Sequence, residues 1–147
     1  MAIRIKKNLS LKKIIPQIKN EFVKPKHRAE IVELIQDNIQ KGLSPVAGKN
    51  KFVKYSKQYA KKKGKSQPVD MTDSGEMLFN DLKSWKRLGK IGIRFDSKIA
   101  KYHNEGEGNN PERRLLPTKN GEKFKSGIMN KVKAILRRAV KEAIKKQ

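Results

Sequence analysis

His103 is followed by Asn104 and Glu105, with Glu107 two residues on. A histidine beside carboxylates is the composition of a metal ligand set or an acid–base pair. The other histidine, His27, lies far away at a Lys-rich helix start, and no H-x-x-x-H or H-x-E spacing supplies a second cluster. A structural His103, bonded to loop backbone, is the simpler reading. Asp70, Asp73 and Glu76 recur at three-residue spacing, which suits either a divalent cation or the start of a helix, and capping explains them with fewer assumptions. Gly106-x-Gly108 lacks the third glycine and the preceding strand of a phosphate loop. No Ser/His/Asp arrangement carries the flanks of a nucleophile. The sequence therefore predicts no catalytic residues, no metal and no cofactor.

Two other groups of residues suit contact rather than catalysis. Phe52, Tyr55 and Tyr59 sit among lysines, as base-stacking aromatics do. They also suit anchors against a neighbouring subunit. Anchoring is favoured, since Tyr55 and Tyr59 share one helical face that no third aromatic extends, and no OB or RRM strand pattern accompanies it. Arg113, Arg114, Leu115 and Leu116 lie between Pro111 and Pro117. Two prolines fix an extended segment whose leucines project to opposite sides. Such a strip packs on a partner, or its leucines are buried in their own domain. Partner contact is taken as the working expectation for all seven residues.

The elements that must position these residues belong to one chain of 147 residues with a formal net charge of +23. That length suits a single domain, 1–147. Hydrophobic residues make up only 35%, so the core must be modest or completed by other subunits. The absence of cysteine excludes disulfide scaffolds, Cys-ligated zinc and thiol catalysis. No apolar stretch is long enough to span a membrane, and the opening residues do not resemble a signal peptide. An intracellular chain with no membrane partner is expected. Of the 37 cationic residues 29 are Lys and 8 are Arg. Lys binds phosphate as a hydrated point charge, whereas Arg makes the bidentate fork that reads bases. The excess thus points to polyanions or acidic partners without sequence preference, or to an ordinary soluble surface.

The order of elements reads as α+β. Residues 1–25 form an N-terminal arm and helix. Ile3 and Ile5 alternate there, and Leu11, Ile14, Ile15, Ile18 and Phe22 share a helical face. Ser10 is a candidate cap, Pro16 a start or kink, and Pro25 the end of the segment. A second helix is expected from Lys26 to Lys41, stopped by Gly42. Residues 42–70 read as a long basic loop holding a short helix from Tyr55 to Lys62. Next come a capped turn at Thr72–Glu76 and a first strand from Leu82 to Leu88. A Gly89-Lys90 type II′ turn and a strand through Ile91, Ile93 and Phe95 complete a central hairpin. A helical turn from Ser97 to Asn104 would bury Ile99, Ala100 and His103. After an irregular stretch, Phe124, Ile128, Val132, Ile135, Leu136, Ala139, Ala143 and Ile144 trace one face of a long amphipathic C-terminal helix, about 123–145.

Three pieces from Met71 onward resemble one known family. They are Met71-Thr72-Asp73-Ser74-Gly75-Glu76-Met77, Ala100-Lys101-Tyr102-His103-Asn104-Glu105-Gly106, and Pro111-Glu112-Arg113-Arg114-Leu115-Leu116-Pro117. They are similar, in order, to the L-T-x-[ST]-G-x-L, Y-A-x-x-H-[NQ]-x-G and P-x-R-P-[FL]-L landmarks of bacteriophage virion morphogenesis (tail-completion) proteins. Arg114 stands where that pattern has Pro. The resemblance spans 71–147 as a family-like core, and the upstream Gly42-Leu43-Ser44-Pro45 is similar to a loop of some members. It implies a structural, non-enzymatic virion protein, assembled in the host cytoplasm. Its subunits would form a homo-oligomeric ring in the neck, joining the portal or adaptor to tail proteins around packaged DNA. Thr72, Gly75, Tyr102, His103, Asn104, Gly106 and Pro111 would then be structural motif residues. The rival expectation is a sequence-independent nucleic-acid-binding protein of ribosomal or nucleoid type.

Overall fold

The computed structural model describes residues 10–64, 69, 71, 76–108 and 111–147. The expected arm strand at Ile3 and Ile5, the acids Asp70 and Asp73, and the motif residues Thr72 and Gly75 lie outside them. The order is α1 (Leu11–Phe22), α2 (Pro25–Gln40), α3 (Lys57–Lys63), β1 (Leu82–Arg87), β2 (Lys90–Phe95), α4 (Lys98–Glu105) and α5 (Ser126–Lys145). One wide π-type turn, Glu76–Asn80, precedes β1. The architecture is α+β: helices around a two-stranded antiparallel sheet, closed by the long C-terminal helix.

α2 supplies the spine of the core. Ile31, Ile35 and Ile39 recur every four residues, so they stack on one face, and all three are buried. Around them gather Phe52, Val69, Met71, Leu78, Leu82, Ala100, Leu115, Leu116 and Ile135. Pro25 opens α2 rather than closing the segment before it. At the first helical position its missing N–H costs nothing and its fixed φ is already helical. The helix ends as its sequence suggests: Gly42 is left-handed, with φ 74°. Its N–H reaches the carbonyl of Ile39 at 2.9 Å and that of Leu43 reaches Asn38 at 3.0 Å, the paired bonds of a Schellman ending.

α5 packs against α1 and α2, burying Ile128, Ile135, Ala139 and Ala143. Phe124 lies before the helix, in a bridge with Val46. α1 is continuous through Pro16. Of its predicted face only Ile14 is fully buried, while Leu11 and Ile15 stay exposed. Ser10 stands at its start but its side chain makes no capping bond.

The hairpin differs from expectation at its turn. The loop is Leu88-Gly89, with φ 50° and 73°, and Arg87 pairs with Lys90. Two left-handed central residues mark a type I′ turn, which matches the twist of the strands better than type I or II. The pairing explains the choice. It sets Leu82 opposite Phe95 on the core side, and Trp85 opposite Gly92 on the other. A Cβ at Gly92 would fall 2.0 Å from Trp85 Cε2, so only glycine admits the indole there.

The expected helix at Tyr55–Lys62 is α3, shifted to Lys57–Lys63; Ser56 caps it and left-handed Gly64 ends it. The surrounding loop is anchored at Ser44, Pro45, Val46 and Phe52, which are buried. In α4 the core face is corrected. Ile99 is 58% exposed, Ala100 is buried as expected, His103 is half-buried, and Asn104 takes the inward position at the last turn.

Candidate functional site

The second and third motif pieces meet around the end of α4. Gly106 is left-handed, with φ 68°, and turns the chain back. Pro111, exposed, begins the returning segment. A Cβ on Gly106 would sit 3.0 Å from the backbone nitrogen of Glu112, so a side chain there would push the two strands of chain apart. Arg113 donates its N–H to the His103 carbonyl at 2.7 Å. Asn104 then reads the next two residues: its Oδ1 accepts from the N–H of Leu115 at 2.7 Å and of Leu116 at 3.0 Å. Its Nδ2 donates to Thr118 Oγ1 at 3.0 Å. An extended segment has no ladder partner of its own, and buried N–H groups must find one. The Asn104 amide supplies it.

The paired arginines carry this lock outward in two directions. Arg113 donates from Nε to the Val53 carbonyl at 3.0 Å and from Nη2 to that of Lys54 at 3.2 Å. Its guanidinium lies 5.5 Å from the centroid of Tyr55, within cation–π range. Tyr55 in turn packs edge-on to Tyr59 at 4.8 Å and accepts from the N–H of Met71 at 3.2 Å. Arg114 donates from Nε to Glu122 Oε2 at 3.1 Å and from Nη2 to Thr118 Oγ1 at 3.1 Å. It also pairs with Glu122 Oε1 and donates to the Asn104 carbonyl. Its own carbonyl accepts from Ser44 Oγ. Residues 44–46, 53–55 and 111–122, which form no regular element together, are thus bolted to α4.

The electrostatics suit a structural role. Burial pushes Arg113 below its ordinary pKa, opposed by Tyr55 and Tyr59. Burial, with the adjacent Arg113 charge, also pushes His103 down, its Nδ1 lying 3.5 Å from Arg113 Nη1. The Arg114 hydrogen bond holds the Glu122 carboxyl below its usual range. These ionisable groups are engaged with one another.

The partner-facing expectation is corrected by burial. Arg113, Arg114, Leu115, Leu116 and Phe52 are all buried within the single chain. Both leucines belong to the chain's own core cluster. Tyr55 and Tyr59 are half-buried against Arg113 and each other, and Tyr102 is exposed.

A second cluster was not anticipated. Glu21, His27 and Glu142, from α1, α2 and α5, bring ligand-type atoms within 4.8 Å of one another. Glu21 and His27 are buried, and neither His27 nitrogen has a hydrogen-bond partner. Ammonium groups already hold both carboxylates. Lys24 and Lys146 bond Glu21, and Lys26 bonds Glu142 at 2.9 Å. These bonds hold the Glu21 carboxyl down at about 2. Burial, then the charge of Lys26, depresses His27. Three lysines already pair with its carboxylates, so the cluster is read as an ion-paired clamp between three helices, with Glu21 Oε2 and both His27 nitrogens left without a hydrogen-bond partner. Its signal in the sequence, one histidine and two glutamates on separate helices, was masked by the lysines between them.

Residues with exposed chemistry lie instead on the outer face of the hairpin: Lys83, Trp85, Arg87, Lys90 and Arg94. The Lys83-x-Trp85-x-Arg87 alternation carried that signal, but the mistaken turn hid which residues it faces. No helix among the described residues is long and apolar enough to cross a membrane. Compared with protein-family models, curated proteins and solved structures, the chain shows no match to any.

Proposed function

We propose that this chain is a non-catalytic assembly subunit of a tailed bacteriophage, acting in the neck as a ring-forming tail-completion protein between portal and tail. The observation that carries the reading is the convergence of two motif pieces in space. The His103 carbonyl and the Asn104 side chain accept from the N–H groups of Arg113, Leu115 and Leu116, and Gly106 lets the chain pass close to Glu112. That contact gives the two pieces a shared structural task, which supports the reading. Arg114, where the family pattern has Pro, is absorbed by Glu122, Thr118 and the Asn104 carbonyl.

Exposed apolar side chains support an assembly role. Leu11 and Ile15 share a face of α1, and Ile99 and Tyr102 share a face of α4. A neighbouring subunit would cover such pairs, in the head-to-tail contacts that close a ring. These residues replace the buried Arg and Leu of the third motif piece as the expected contact surface.

The test is disruption of the gene in the phage genome that encodes it, with electron microscopy of the lysate. Full heads beside separate tails, joined into infectious particles when the purified chain is added, are the expected result. Intact, infectious particles from the disrupted genome would rule the neck role out.

A further inference from the structure

Directly opposed residues of an antiparallel pair share a face. The register therefore puts Leu82, Ser84, Lys86, Ile91, Ile93 and Phe95 on one side of the hairpin. Lys83 opposite Arg94, Trp85 opposite Gly92, and Arg87 opposite Lys90 lie on the other. The first side packs on α2, where Arg28 Nη1 reaches Ser84 Oγ at 3.4 Å. The second is open to solvent. Trp85 is 42% exposed, with its indole laid across the bare backbone of Gly92. Strand geometry separates Lys83 from Arg87 by about 14 Å, with Trp85 midway.

Two features of this face are unusual for a hairpin. Like charges sit opposite each other twice, an arrangement that destabilises a ladder. A large aromatic also lies on this face with 42% of its surface open. A structural hairpin would place acids or small polar residues there. Acidic partners are scarce nearby. Arg94 pairs with Asp96 at 2.8 Å. Elsewhere Glu21, Glu30, Glu112, Glu122 and Glu142 are each bonded to a cation of the same chain. A carboxylate surface of a second copy could meet these cations but offers Trp85 no ring to stack on, whereas a nucleic acid offers both a row of phosphates and an unpaired base.

We infer that the outer face of the hairpin binds single-stranded nucleic acid, one base stacking on Trp85 and the flanking phosphates lying against the Lys83/Arg94 and Arg87/Lys90 pairs. An unpaired base has a free π-face for the indole, and flanking cations track the backbone. A duplex keeps its bases stacked inside and offers Trp85 no such face. Neither stacking nor phosphate contact reads the sugar, so oligothymidylate serves as the probe. The inference stands on the hairpin alone and does not depend on the neck role.

Trp85 is the only tryptophan, so its fluorescence reports this face without a label. Titration of the full chain with a short oligothymidylate should quench it to saturation. The log of the affinity should fall with the log of salt at a slope near −3, about −0.7 for each of four phosphate contacts. With a dye-labelled oligonucleotide, Trp85→Ala should weaken binding about 5- to 150-fold, the range for loss of one stacked base. Trp85→Phe should keep most of the affinity, and Lys83→Gln with Arg87→Gln should flatten the slope by about 1.4. Oligothymidylate binding without quenching, or unchanged affinity in Trp85→Ala, would overturn the proposal. So would tighter binding of a duplex of equal length, which means a duplex-phosphate surface. Equal binding of polyglutamate would mean an acidic-protein surface. The wild-type comparisons decide even if a variant folds poorly.

Discussion

Asn104 is the residue on which the irregular half of the fold turns, and its removal has a calculable cost. Its Oδ1 is the acceptor for two buried backbone N–H groups, those of Leu115 and Leu116. Asn104→Ala leaves both unpaired between fully buried leucines. A buried donor stripped of its partner costs about 1–3 kcal/mol, so the pair sets a loss of about 2–6 kcal/mol. Against a typical domain stability of about 5–15 kcal/mol, that is a large fraction. Asn104→Asp separates the two ends of the amide. It keeps the double acceptor and loses only the Nδ2 bond to Thr118, an exposed residue, while its new charge lies beside Arg114. It should stay within about 1 kcal/mol of the parent, the worth of one net hydrogen bond. Urea unfolding followed by far-UV circular dichroism measures both variants. A loss below about 1 kcal/mol in Asn104→Ala, or equal losses in the two variants, would refute the lock as described.

Leu88 is 84% exposed at φ 50°; Leu88→Asn should raise stability by about 0.5–1 kcal/mol, since Asn tolerates the left-handed turn, and an unchanged melting temperature would count against it. His27→Leu removes two orphaned buried nitrogens and should be neutral or stabilising at pH 7 in thermal melts, because burying apolar atoms there leaves no donor or acceptor stranded. The same pair of proteins tests the sign of the pH dependence. Folding depresses His27, so below about pH 6.5 the unfolded chain takes up a proton that the folded chain refuses, and stability falls as pH drops, by up to about 1.4 kcal/mol per unit. His103 adds to that slope in both proteins, and identical slopes with and without His27 would refute its contribution. Gly92→Ala must evict the indole from its seat, so the Trp85 emission should shift to longer wavelength and the hairpin lose stability; an unmoved spectrum would contradict the placement.

The long helices were legible because their evidence is local. Ile31, Ile35 and Ile39, and Ile128 with Ile135, announce a face by spacing alone. Pro25 was misassigned because proline closes one helix as readily as it opens the next, and only the chain direction after Val23 decides. The turn was misplaced because Leu is a poor left-handed residue. What forces Leu88 into that conformation is the pairing of Trp85 with Gly92 and of Leu82 with Phe95, a property of two strands together. The buried arginines were the least legible. Composition places Arg on surfaces. The acceptors that draw Arg113 inward, the carbonyls of Val53 and Lys54, lie some sixty residues away in sequence. Nothing in the local pattern of Pro111 to Pro117 announces them.

The chain sorts its cations by chemistry, and that sorting reconciles its charge with a folded core. Every described lysine is at least partly exposed, while two of the seven described arginines are buried. A guanidinium presents its donors in a rigid planar fork and is weakly hydrated, so carbonyls arriving from several directions can satisfy it. Arg113 and Arg114 use that fork where a small apolar core leaves loops uncovered, binding backbone carbonyls that would otherwise be stranded. An ammonium is a compact, strongly hydrated point charge, and burying it costs more than such contacts return. Most described lysines therefore stay outside, where they supply a field without fixed geometry, while the Lys63 ammonium is buried 5.2 Å from the Tyr55 ring centroid. The hairpin stands apart from that field because it adds a flat aromatic between its charges. A cation can hold a polyanion anywhere along its length, whereas Trp85 over Gly92 gives one base a place to rest.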